Sequence, residues 1–157
     1  MTTKEFVGYY KMAKDKKAEC AKRVKNKYVP FTTKIAECSK IVKATMDYNG
    51  VPNVTTPMRF LLFHMTLLKF YTDLELSDDV ITEYDLLNEA GTLDGTDGTD
   101  GLIGSLPVHE YKEFTTLLNM CVDDYISNNR DLVAYIENKL NVLMQLVPEN
   151  KEEKTEE

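Results

Sequence analysis

Apolar residues recur along this chain at helical spacing and almost nowhere at the alternation of a strand. Phe6, Tyr9, Tyr10 and Ala13 fall about a turn apart, and Ala18, Ala21 and Val24 continue a weaker stripe. Thr2-x-x-Glu5 has the form of a capping box, in which hydroxyl and carboxylate satisfy free N–H groups at a helix start. The Asp15-Lys16-Lys17 stretch is suited to divide this region into two short helices. Tyr28-Val29-Pro30-Phe31 reads as an extended connector, because the residue before a proline is pushed out of the α region. Ile35, Cys38, Ile41, Val42, Thr45 and Met46 mark the next amphipathic helix, which Asn49-Gly50-Val51-Pro52 ends.

Thr56-Pro57 offers a capping hydroxyl followed by proline at the first helical position. The residues after it, from Phe60 to Leu74, are apolar nearly all round, the pattern of a helix enclosed by its neighbours. This segment is the expected centre of the core. Ser77-Asp78-Asp79 caps a further helix with the stripe Val80 or Ile81, Tyr84, Leu87 and Ala90, and Gly91 is placed to stop it. Residues 91–104 repeat Gly-Thr-Asp and hold five of the seven glycines, which predicts a flexible loop. Ser105-Leu106-Pro107 opens a long helix through Tyr111, Phe114, Leu117, Leu118, Cys121, Val122 and Tyr125. Ser127-Asn128-Asn129 reads as a tight turn into a last helix from Arg130 to Val147, and Pro148 ends it. The expectation is an all-α, single-domain bundle of about six helices over residues 1–147, closing in a C-terminal αα-hairpin. Residues 148–157 read as a disordered acidic tail.

At 157 residues, 43% apolar and 29% charged, the chain can fill one core and is too apolar to be disordered. Three cysteines, Cys20, Cys38 and Cys121, include no C-x-x-C pair, so neither a disulfide scaffold nor a zinc knuckle is indicated. The longest apolar stretch, Met58 to Tyr71, is interrupted by Arg59, His64 and Lys69 and is too short for a bilayer span. The first residues lack the apolar run of a signal peptide. A soluble intracellular domain with no membrane partner is expected.

Charge changes this picture more than composition does. Residues 1–50 hold twelve Lys/Arg against five Asp/Glu, whereas residues 51–157 hold seven against twenty-one. Nine of the basic residues lie between Lys4 and Lys27, interleaved with Tyr9 and Tyr10 and followed by Tyr28. Such a basic end can lie on a polyanion, fold against its own acidic remainder, or dock on a neighbouring copy. Lysines that merely solvate a helix face are the plain alternative. A net charge of −7 and the lack of a known nucleic-acid motif make nucleic acid the less favoured ligand. The candidate partner-binding residues are Tyr9, Tyr10, Lys14, Lys17, Lys22, Arg23 and Lys27.

Candidate chemistry is thin. The aspartates Asp94, Asp97 and Asp100 suggest a calcium loop, but they fall every third residue and position twelve is Ser105, so the EF-hand rhythm is missing. A repeated Gly-Thr-Asp insertion in a tolerant loop explains them better. His64 lies inside the apolar helix, as a hydrogen-bonded core histidine would, and His109 sits in a first turn beside Glu110. No Ser or Cys stands in a nucleophile setting, so no triad is indicated. Asp78-Asp79 is explained by capping, and Asp123-Asp124 are adjacent on a helix and do not face each other. No phosphate-cradling glycine motif is present. The expectation is a protein without a catalytic constellation, metal site or cofactor.

Two blocks carry a resemblance: Lys27 to Lys43 (KYVPFTTKIAECSKIVK), and Thr56 to His64 (TPMRFLLFH) followed by Leu67 to Glu75 (LLKFYTDLE). They resemble small helical proteins encoded among the structural and assembly genes of tailed bacteriophages. The resemblance implies a virion component, such as a neck or tail protein, or an assembly factor acting on one. Its partners would be further copies of itself or other phage structural proteins, met in the host cytoplasm during assembly and in the virion. The Gly-Thr-Asp loop is not part of that pattern. The alternative from another class is an acidic helical inhibitor of a host nucleic-acid-binding or defence protein, which the basic amino end disfavours. A small hydrolase would need a nucleophile and base that the sequence does not offer.

Overall fold

The computed structural model describes residues 1–46, 56–93 and 101–129. Asp94, Asp97 and Asp100, the last helix of the expected hairpin and the acidic tail lie outside the described residues. The described chain forms six α-helices: α1 (Thr3–Met12), α2 (Lys16–Arg23), α3 (Phe31–Thr45), α4 (Thr56–Tyr71), α5 (Val80–Glu89) and α6 (Val108–Asn129). A 3-10 turn, Ile103–Ser105, precedes α6. Among the described residues the only extended pairings are isolated bridges, Thr2 with Glu75 and Val24 with Thr72. The bundle is all-α, as the periodicity predicts.

Helix boundaries follow local chemistry. Thr2 Oγ1 accepts the Glu5 amide at 3.3 Å and a Glu5 carboxylate oxygen accepts the Thr2 amide at 2.8 Å, so the capping box is complete. Asp15 accepts the Ala18 amide at 2.9 Å and starts α2, which is why the basic region divides at that residue. Asp79 does the same for α5, accepting the Thr82 amide at 3.2 Å and the Thr82 hydroxyl at 2.7 Å. Gly91 ends α5 at φ 66°, a left-handed conformation that glycine adopts without a Cβ penalty. One boundary differs from expectation. Ser127, Asn128 and Asn129 are not a turn; α6 runs through all three. Turn-forming residues are only mildly unfavourable in a helix already nucleated by many preceding turns.

The core has two parts, and α4 belongs to both. Phe63, Leu67 and Tyr71 join Val29, Cys38, Val42, Leu106 and Phe114 in one cluster, between α3 and α6. Met65 and Leu68 join Phe6, Tyr10, Cys20, Leu87 and Leu102 in the other, under α1, α2 and α5. The apolar circumference of α4 therefore has the use that the sequence implies, although Phe60 at its start is exposed.

Backbone ties hold the basic amino end to this frame. The Lys25 amide donates to the Tyr71 carbonyl at 2.8 Å, the Asp73 amide to the Arg23 carbonyl at 3.0 Å, and the Asn26 side-chain amide to the Phe70 carbonyl at 2.6 Å. The end of α2 is thus clamped to the end of α4. Leu102 and Ile103 donate to the carbonyls of Thr92 and Leu93 at 2.8 and 3.0 Å, joining the two ends of the glycine-rich segment.

Candidate protein-interaction surface

The seven candidate residues divide cleanly. Tyr9, Lys14, Lys17 and Lys27 are exposed, and among the described residues no carboxylate pairs with these lysines. Lys22 is exposed but reaches Glu19 one turn earlier at 3.1 Å. The other two are drawn inward. Tyr10 is 4% exposed, stacks near Phe6 and donates its hydroxyl to the Gly91 carbonyl at 3.1 Å. It shares the inner face of α1 with Thr3, Phe6 and Val7, and so is core where the sequence offered it as surface. Arg23 is half-buried and paired with Asp73 at 3.5 Å and Glu19 at 3.8 Å, which makes it a strut between α2 and the end of α4.

Lys4, Lys11 and Lys16 extend the exposed basic area, Lys16 lying 5.1 Å from the centre of the Tyr10 ring. Met12, at the end of α1, is 76% exposed and Tyr9 55%. Tyr28 and Phe31 are exposed beside the start of α3. The exposed side of α1 and α2 thus sets unpaired lysines, which attract an acidic partner over distance, beside the accessible Tyr9 and Met12, side chains of the kind enriched at interfaces.

Beside Tyr28 lies a charge cluster that the sequence reading passed over. Lys34 is fully buried, with Nζ 2.9 Å from Glu110 and 2.5 Å from Glu113, and it sits 5.2 Å from the centre of the Tyr28 ring. One Glu110 oxygen also accepts the Tyr71 hydroxyl at 2.5 Å and the Val29 amide at 3.1 Å. Burial alone would lower the Lys34 pKa, but hydrogen bonds to Glu113 and Glu110 outweigh it and the net movement is upward. Burial alone would raise Glu110, but donors from Tyr71, Lys34 and Val29 hold it below the ordinary carboxylate value. Burial and the Glu110 carboxylate push the Tyr71 phenol above its usual range. The cluster joins α3, α4, α6 and the connector after α2 in one knot, and its polar groups are turned on one another.

A signal for this cluster was present in the spacing. Lys34 stands four residues before Cys38 and seven before Ile41, and Glu110 four before Phe114 and seven before Leu117. Both therefore lie on apolar stripes, where an opposite charge on the facing helix is needed.

The histidines stand apart. His64 is buried and its Nδ1 donates to the Phe60 carbonyl at 2.8 Å, beneath the Phe60 ring at 3.9 Å between centroids. His109 is exposed, with Nε2 3.7 Å from Glu110. Among the described residues no three of His, Cys, Asp and Glu are grouped to hold a metal ion, and no helix is long and apolar enough to cross a membrane.

The thiols report on the fold directly. Cys20 and Cys38 are buried and Cys121 half-buried. Burial, with Cys121 and Glu37 nearby, pushes the Cys38 thiol up to about 12. In a labelling experiment at pH 8, Cys121 is expected to react first and Cys20 and Cys38 only as fast as the protein opens. Immediate labelling of all three without denaturant would contradict this packing.

Compared with known proteins, the chain matches no family model, no curated protein and no solved structure.

Proposed function

We propose that the chain is a non-enzymatic virion protein of a tailed bacteriophage, a neck or tail component, or a factor that assembles one. It acts through protein–protein contacts that close into a ring when the rotation between subunits allows. One observation carries the reading: in a chain of net charge −7, Lys14, Lys17 and Lys27 stay exposed and unpaired among the described residues. None of the carboxylates among the described residues pairs with them. A subunit that keeps opposite charges apart retains a long-range attraction for an acidic protein face. The resemblance of the Lys27–Lys43 and Thr56–Glu75 blocks supplies the bacteriophage setting. Partners are further copies or other phage structural proteins, met in the host cytoplasm during assembly or, for a virion component, in the particle.

Sedimentation over a salt series, alone and with virion proteins, tests the reading. Association is expected to weaken as salt rises through the range where the Debye length falls below about 8 Å. Reversing Lys14→Glu and Lys17→Glu together is expected to reduce it at least tenfold with folding unchanged. A monomer at every concentration and ionic strength, both alone and beside virion proteins, would overturn the proposal. Capture of a host nucleic-acid-binding protein instead would favour the inhibitor.

A further inference from the structure

Helix α1 carries a glycine that its own subunit does not require. Gly8 lies in the interior of α1 without a positive φ, and a Cβ placed there would meet nothing within 4 Å. A mid-helix glycine weakens the helix, and here neither backbone conformation nor internal packing compensates. It lies on the outward side of α1 with exposed Lys4, Lys11 and Met12, and exposed Tyr9 borders the same side, so this side has bare backbone at Gly8 beside two accessible apolar groups. Bare backbone at this point permits another element to approach closely.

A complementary surface exists on the same chain. A cleft of about 360 Å³ opens between α4 and the start of α5, floored by Leu62, Leu76 and Val80 and edged by Glu37, Asp78 and Lys69. From Asp78 the exposed ridge of α5 continues through Ile81 to Asp85. Lys4 and Lys11 lie on the exposed side of α1, Asp78 just before the N-cap of α5 and Asp85 on its exposed side, so two exposed cations on one face can meet two exposed carboxylates on the other. Among the described residues, none of these four charges has an ion-pair partner.

Resting on the reading of the chain as a contact-forming subunit, we propose that the Gly8 face of α1 docks on the α4–α5 cleft of a second copy. Tyr9 and Met12 would rest on the Leu62, Leu76 and Val80 side of this mixed cleft and cover Ile81, while Lys4 and Lys11 would meet Asp78 and Asp85. The contact joins two different faces, so each added subunit leaves one of each free, the geometry of a ring or an open chain.

The test uses two single variants of the full chain and their mixture. Gly8→Gln adds a helix-compatible side chain to open space, so its thermal midpoint is expected to hold or rise while self-association falls at least tenfold. Asp78→Lys places like charge before Lys4 or Lys11 and is expected to weaken self-association as much, with the fold monitored by circular dichroism. An equimolar mixture retains one intact face of each kind and is expected to form dimers and nothing larger. If the wild type associates and both variants associate as it does, the docking face is elsewhere; loss on Lys14→Glu/Lys17→Glu would then leave the broader reading standing. A wild type that remains monomeric in high concentration and low salt overturns the second copy as occupant. Binding to virion proteins that survives in that case, and is lost in Gly8→Gln, would assign the face to one of them.

Discussion

Replacing Glu110 by alanine is expected to be the most damaging single polar substitution in the protein. Its carboxylate receives Lys34, the Tyr71 hydroxyl and the Val29 amide, and the side chain is 2% exposed. Removing it leaves the Tyr71 hydroxyl and the Val29 amide without an acceptor where water does not reach them, and leaves the buried Lys34 ammonium with Glu113 alone. Breaking a buried pair from one side costs about 3–5 kcal/mol, a large part of the roughly 5–15 kcal/mol that holds a domain folded. Lys34→Met is expected to cost less, because Glu110 keeps its Tyr71 and Val29 donors and Glu113 is partly exposed. The double variant Lys34→Met/Glu110→Ala leaves neither charge of the pair facing a missing partner, and its cost is expected to fall below the sum of the two single variants by about 0.5–3 kcal/mol. Urea titration of the four proteins measures this; strict additivity would show that the two side chains do not act as a pair.

The same knot sets a pH dependence. Glu110 is held below its ordinary value, so its contribution is fully present above that value and is lost as pH falls through the folded pKa. Lys34 is held above its ordinary value, so its contribution is fully present below that value and is lost as pH rises through the folded pKa. Stability from this pair is therefore flat between the ordinary Glu and Lys values, about pH 4.3 to 10.4, and declines outside them.

Patterning made the frame of the molecule legible and left its polar interior hidden. The capping box at Thr2, the caps at Asp15 and Asp79, and the stop at Gly91 each involve one side chain or one backbone conformation within a few residues, so local sequence specifies them. The central role of α4 was legible because its sequence is apolar nearly all round. Ser127 to Asn129 misled because turn propensity is a weak preference that an established helix overrides. Tyr10 and Arg23 were offered as surface because an amphipathic tyrosine and a long arginine occur on either side of a boundary. Their partners, Gly91 and Asp73, lie 81 and 50 residues away. Lys34 and Glu110 have the same long-range character: each lies on an apolar stripe of its own helix, and the partner that neutralises it stands 76 residues away on the facing helix. Gly8 was overlooked for the opposite reason, since its significance lies in the absence of any neighbour.

Truncating the two adjacent leucines of α4 is expected to show whether the core clusters stand or fall together. Leu67 and Leu68 are both fully buried, yet Leu67 packs with the α3–α6 cluster and Leu68 with the cluster beneath α1, α2 and α5. Each Leu→Ala change removes buried methyl groups and leaves a cavity, at about 2–5 kcal/mol. The location of the damage is the informative quantity. Because α4 supplies one wall of each cluster, and the end of α2 is clamped to its last turn through Lys25 and Asn26, loosening either side should loosen the helix itself. Hydrogen exchange on Leu68→Ala is therefore expected to show the slowest amides of α6 losing protection together with those of α1, although α6 does not contain the site. Leu67→Ala should show the reverse spread, and both should unfold in a single urea transition. If Leu68→Ala instead exposed only α1, α2 and α5 while α6 kept its protection, the bundle would be two units sharing a helix. The double variant, at about 4–10 kcal/mol on the same scale, is expected not to fold.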